Sequence, residues 1–130
     1  MIFELAVLGW AALLACVQLV SLSVIANRNV SQSWLAGPRD APTEMPPLVG
    51  RMMRAQTNMF EAMAMFTPAA VVVAISGSSS WFTGLCAVLF LLARAVYIPL
   101  YALGIPYLRS LVWMVGFFAT ILMLLAALLF

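Results

Sequence analysis

Four long apolar stretches, separated by three breaks of different character, organise this sequence. They cover about residues 3–26, 48–75, 81–103 and 107–130, and each reaches the length of about 20 residues that a helix needs to cross a bilayer. The second stretch is interrupted by polar residues in its first half. The first break, at about residues 27–47, carries four prolines and many polar residues, and reads as a surface loop rather than a helix. The second is the uncharged run Ser76-Gly77-Ser78-Ser79-Ser80, a tight hairpin. The third is little more than Gly104-Ile105-Pro106, which breaks a helix. The pattern predicts an all-α integral membrane protein of one domain, a four-transmembrane-helix bundle in antiparallel up-down order.

Composition strengthens that reading. The 130 residues are 66% apolar and 8% charged, with a mean hydropathy of +1.14, whereas soluble domains run at roughly 45–50% apolar and about 25% charged. Six arginines and four acidic residues cannot cover a water-soluble globule of this size. The same numbers exclude disorder, and a net charge of +2 makes no basic patch for nucleic acid. Histidine is absent, which removes the commonest metal ligand and proton shuttle. Cys16 and Cys86 lie in apolar runs, where thiols pack as small hydrophobes, so neither a disulfide nor a metal site is expected. The N-terminal stretch lacks a basic leader, and its apolar run exceeds the usual 7–15 residues of a signal peptide. It is expected to be kept as the first span.

Charge also sets an expected orientation, because basic residues near span ends favour the cytoplasmic side. Arg28, Arg39, Arg51, Arg54 and Arg109 lie on or beside the first and third breaks, and the serine-rich break has none. Both termini should therefore face away from the cytoplasm. The membrane expected is a bacterial inner membrane, or one of endoplasmic-reticulum type in a eukaryote.

Charges inside a span cost about 2.5–3.5 kcal/mol each at its centre and usually face the bundle interior. Span two carries Arg51, Arg54, Asn58 and Glu61, which fall within an arc of about 80° on one helical face. Span three carries Arg94, Tyr97 and Tyr101, again on one face. Counted at about 1.5 Å per residue from Arg51 and Gly104, Glu61 and Arg94 lie about 15 Å deep, Asn58 and Tyr97 about 10 Å, and Arg54 and Tyr101 about 5 Å. Rung-by-rung pairing is expected, with an ion pair between Glu61 and Arg94. The result is a cationic pocket floored by a carboxylate. Its arginines suit carboxylates, and Glu61 suits an amine or amide. Glutathione has those groups, and many other anionic ligands fit the same description. A nearby guanidinium would also favour a bound thiol's reactive thiolate form.

The run Arg51-Met52-Met53-Arg54-Ala55-Gln56-Thr57-Asn58-Met59-Phe60-Glu61 resembles the signature of the MAPEG family, the membrane-associated proteins of eicosanoid and glutathione metabolism. Ala93-Arg94-Ala95-Val96-Tyr97-Ile98-Pro99-Leu100-Tyr101 resembles the family's second signature, and Leu108-Arg109-Ser110 its start of span four. The resemblance covers about Gly50 to Gly116. It implies a homotrimer of four-helix protomers that binds glutathione as co-substrate between neighbours near the cytoplasmic face. Carried over by position, it implies a glutathione site of Arg51, Arg54, Asn58, Glu61, Arg94, Tyr97 and Tyr101. Gln56, which points about 140° away from Arg51 on its helix, is implied to serve the site across a protomer interface. Arg28 resembles a further family arginine, and Arg109 one credited with thiolate activation. The sequence departs from the family after Glu61, where an aromatic residue is frequent and Ala62 stands here.

The implied activity is that of a membrane glutathione transferase or glutathione-dependent peroxidase acting on a lipophilic acceptor that enters from the bilayer. A catalytically silent homologue that binds an anionic ligand is the alternative. A small multidrug transporter ranks below both, since span one offers only Gln18 at depth and Glu61 lies among arginines that would repel a cationic drug. Arg28, Arg39 and Arg51 also have a simpler reading as topology-setting charges. Trp81 and Trp113 are expected as interfacial belt residues, and Pro68 and Pro99 as tolerated kinks.

Overall fold

The structure, a computed structural model, describes residues 2–130. Five helices follow in order: α1 Phe3–Asn29, α2 Gln32–Ala36, α3 Pro47–Ser76, α4 Trp81–Ala102 and α5 Pro106–Leu129. All but α2 are long and apolar enough to cross a membrane, at 27, 30, 22 and 24 residues.

The helix boundaries follow from local chemistry. Pro47 and Pro106 stand in the first turns of α3 and α5, where the missing N–H forfeits no helical bond. Ser80 caps α4 by accepting from the Thr83 backbone, and the Thr83 hydroxyl accepts from the Ser80 backbone. This reciprocal capping box satisfies two otherwise orphaned donors. Gly77 ends α3 in the left-handed region at φ 69°, which glycine enters without strain. Pro68 and Pro99 lie inside α3 and α4 without interrupting either helix.

The short α2 departs from the expectation of loop throughout residues 27–47. Its Trp34 and Leu35 pack against a small cluster of Ala26, Val30 and Val49, which joins the end of α1 to the start of α3. The proline and polar content of the segment masked these two apolar anchors.

The main core is built from small residues and two aromatic rings. Val7 and Ala11 of α1, Ala62, Phe66, Ala69, Ala70 and Val73 of α3, and Cys86, Ala87 and Phe90 of α4 meet Ala119 and Met123 of α5. Small side chains let apolar helices approach closely where no hydrophobic force drives them together. The Phe66 and Phe90 rings stack with centroids 4.0 Å apart. Outward-facing side chains are large and apolar, as with Trp10 at 64% exposure and Leu92 at 56%.

At the end of the bundle marked by the serine-rich turn, Glu4 is fully buried. Its carboxylate accepts from the Thr83 hydroxyl and from the Ser79 hydroxyl, the latter at 2.8 Å. These bonds tie the start of α1 to the α3–α4 turn. At the other end, Arg51 meets Ala102, Arg54 meets Tyr101, and Asn58 meets Arg94. Numbering thus rises along α3 as it falls along α4, and the two polar stripes face each other.

Candidate functional site

A pocket of about 620 Å³ opens between α3, α4 and α5 at the end of the bundle away from Glu4. Six residues singled out in the sequence line it: Arg54, Asn58, Glu61, Tyr97, Tyr101 and Arg109. Helical spacing explains the convergence. Arg54, Asn58 and Glu61 recur at three to four residues along α3, as do Tyr97 and Tyr101 along α4, so each set shares a face. The short Leu103–Ile105 connection then brings Arg109, in the first turns of α5, back beside Tyr101.

Tyr101 is the centre of this arrangement. Its hydroxyl accepts from Arg54 Nε at 3.1 Å, and the Arg109 guanidinium lies 4.5 Å from its ring centroid. The Arg54 guanidinium stands 5.9 Å from the same centroid. Cation–π attraction at such distances contributes about 0.5–2 kcal/mol and holds both arginines at the pocket wall. The guanidinium groups of the exposed Arg54 and the half-buried Arg109, one carboxylate and two phenols therefore surround the same space. The balance is cationic, and the volume falls within the range of about 300–1,000 Å³ typical of small-molecule sites.

Arg94 sits behind the wall at 2% exposure. The ion pair expected between Glu61 and Arg94 is not what forms. Arg94 Nη1 donates to Asn58 Oδ1 at 2.7 Å, Nε approaches Met59 Sδ at 3.4 Å, and the guanidinium stacks 4.4 Å from the Tyr97 centroid. Its Nη2 has no hydrogen-bond partner among the described residues. Depth along the helices was matched by the expected pairing, but helix face decides the partner. Asn58 and Met59 turn inward toward α4, whereas Glu61 is exposed in the pocket. The Arg54–Tyr101 rung forms as the depths imply.

Three further candidates are not brought to this pocket. Arg51 turns to the end of α4, donating from Nη1 to the Ala102 carbonyl at 3.2 Å, where a cation also complements the helix dipole. Its guanidinium packs against Gly104, whose φ of 75° needs glycine and where a Cβ would meet Arg51 Cζ at 3.2 Å. Arg28 is exposed in the last turn of α1. Gln56 is 4% exposed and lines a separate cleft of about 550 Å³ between α1, α2 and α3 with Asn27, Gln32 and Arg39. Both polar atoms of its amide lack a partner among the described residues, as do those of Gln18.

The pocket also contains Thr57, Ser110, Trp113 and Met114, none of which was expected to line it. Trp113, expected as an interfacial belt residue, also forms part of the pocket wall. Its place four residues after Arg109 was the available signal, since i and i+4 share a helix face.

A helical membrane protein with a cationic, tyrosine-lined pocket at one end is the class that this fold and pocket define. The MAPEG family profile matches residues 7–129, nearly the whole chain, and the protein belongs to that family. It is thus a multi-pass membrane protein. No individual curated protein shows a significant match to the chain.

Proposed function

We propose that the protein is a membrane glutathione transferase or glutathione-dependent peroxidase. The observation that carries this reading is the convergence of Arg54, Asn58, Glu61, Tyr97, Tyr101 and Arg109 on one pocket. Glutathione offers two carboxylates for the arginines, an amine for Glu61 and a thiol. Asn58 both donates and accepts, and is already held by Arg94, so its amide is preset for the peptide backbone. Arg109 is the group proposed to favour the thiolate, the form that attacks an electrophilic carbon or a peroxide oxygen. Its guanidinium is fixed over the Tyr101 ring, so a thiol entering there would meet an oriented cation.

The assembly proposed is a homotrimer. In it, Gln56 and Arg28 of one protomer would complete the pocket of a neighbour, which gives the unpartnered Gln56 amide a ligand to bind. Arg51 would act on the ligand only indirectly, through the α4 end it holds. The pocket end would face the cytoplasm, in keeping with its arginines, and both termini the opposite side.

Thermal unfolding of the detergent-solubilised protein tests the site. Glutathione at 100 times its dissociation constant should stabilise by about 2.7 kcal/mol; no shift at millimolar glutathione would sink the reading. A catalytically silent homologue is separated by Arg109→Ala. In an enzyme this variant should lose conjugation of 1-chloro-2,4-dinitrobenzene by about 100-fold, close to 2.7 kcal/mol in barrier, while keeping stabilisation by glutathione. A wild type that is stabilised but does not turn over would identify the silent homologue.

A further inference from the structure

Arg51, an expected ligand contact, does not line the pocket between α3, α4 and α5. It is half-buried near the start of α3 and is spent on the joint between α4 and α5. The backbone of that joint shows why a side chain is needed there. Helix α4 closes with the Ile105 N–H on the Leu100 carbonyl and the Gly104 N–H on the Tyr101 carbonyl. Gly104 takes the left-handed conformation, at φ 75°. This pairing is a Schellman motif, and it leaves the carbonyl of the last helical residue, Ala102, unmet. In a continuing helix that carbonyl would turn to the N–H four residues on. The residue there is Pro106, which has none.

Arg51 Nη1 supplies the missing donor at 3.2 Å. Its guanidinium also lies against the bare face of Gly104, where a Cβ would meet Cζ at 3.2 Å. One side chain of α3 thus closes a joint that two other helices share. Two pocket residues hang on that joint. Tyr101 immediately precedes Ala102, and Arg109 follows in the first turns of α5, its guanidinium 4.5 Å from the Tyr101 centroid. Without the Arg51 donor, the start of α5 is free to shift relative to Tyr101.

We propose that Arg51 is a positioning residue that aims Arg109 at the thiol of a ligand in the pocket. It does so by keeping the α4–α5 joint closed. This rests on the reading that the pocket binds glutathione, and it deepens that reading by adding a residue that acts on the thiol without touching it. A cation close to a thiol favours the thiolate, and the attraction falls with distance. A displaced Arg109 therefore raises the pH at which the bound thiol gives its proton to water. The charged and titratable groups that line the pocket are Arg54, Glu61, Tyr97, Tyr101 and Arg109, and all five are retained when Arg51 is replaced.

Arg51→Met in lipid nanodiscs provides the test, with the ultraviolet absorbance of the bound thiolate followed against pH. The midpoint of ionisation should rise by about one pH unit or more, a tenfold change in the ionisation constant. Affinity for S-methylglutathione, which has no thiol proton and so no proton linkage, should stay within about twofold of wild type. Arg51→Lys keeps a donor and a charge, and should recover at least part of the shift. Gly104→Ala keeps Arg51 but forces the turn off its guanidinium, and should raise the same midpoint. An unchanged midpoint in either Arg51→Met or Gly104→Ala overturns the proposal and leaves Arg51 as a brace for the fold alone. A lysine variant no better than the methionine one overturns it too, as does a wild-type midpoint no lower than that of free glutathione. A larger loss of S-methylglutathione affinity would make Arg51 a ligand contact, which also overturns it. A wild type that binds neither glutathione nor its S-methyl derivative would instead remove the reading on which the proposal rests.

Discussion

Asn58→Leu tests whether the pocket wall is held by the buried guanidinium behind it. The substitution keeps the side chain's approximate volume and removes the Oδ1 acceptor that Arg94 Nη1 reaches at 2.7 Å. Hydrogen bonds to charged groups contribute about 1.5–3 kcal/mol, and stranding a buried charge outright costs about 3–5 kcal/mol. Arg94 is 2% exposed and already has an unpartnered Nη2, so water cannot easily replace the lost acceptor. It keeps the Tyr97 ring 4.4 Å away, which offsets part of the loss. The net expectation is a destabilisation of about 2 kcal/mol, within the range for a charge-assisted bond. It is measured by SDS-induced unfolding of the micelle-solubilised protein, followed by tryptophan fluorescence. The decisive measurement is the cycle with Arg94→Met. Once the cation is gone, Asn58→Leu should cost less than about 0.5 kcal/mol, because residues in one network are not additive. Equal cost in both backgrounds would refute the argument, since Asn58 would then stabilise the fold without acting through Arg94.

Two further outcomes follow from the opposite end and from the α4–α5 turn. Glu4→Leu leaves the Ser79 hydroxyl without its acceptor and Thr83 with only the Ser80 carbonyl, and should cost about 1–3 kcal/mol in the same unfolding assay; stabilisation by glutathione, read separately, should be unchanged because the pocket lies at the other end. Gly104→Ala forces a side chain into the left-handed region and against the Arg51 guanidinium. A loss of about 1–2 kcal/mol is expected, and an unchanged unfolding midpoint would show that the turn relaxes freely.

Much of the site was legible because it obeys helical periodicity. Arg54, Asn58 and Glu61 on one helix, and Tyr97 and Tyr101 on another, needed only spacing and depth to be placed on facing stripes, and the structure joins them with Arg109. The partner of Arg94 was not legible. Asn58 and Glu61 differ by less than a turn, and charge complementarity favours Glu61 on paper, whereas the inward rotation of α3 presents Asn58. The acceptor role of Glu4 was not legible either, because it depends on two hydroxyls 75 and 79 positions away. Likewise α2 was hidden, since the half-buried Trp34 and Leu35 pack against residues from the ends of two other helices. Arg28 and Gln56 came only from the family resemblance, and a single chain gives them no common pocket.

The turn joining α4 to α5 has a consequence for where this chain can be lengthened. Only Leu103, Gly104 and Ile105 separate the two helices, so the turn leaves little slack between the Arg109 guanidinium and the Tyr101 ring. An extra residue there would lengthen the turn and let the start of α5 shift relative to the end of α4. The serine-rich turn is equally unforgiving, since Ser79 and Ser80 are both engaged in side-chain bonds. Between Ala41, whose carbonyl accepts from Trp34, and Met45, which packs on the Ala26–Val30–Val49 cluster, the chain is largely exposed and lines no part of the pocket between α3, α4 and α5. A fluorescent reporter or affinity tag spliced between Pro42 and Glu44 should therefore leave both ends of the bundle undisturbed.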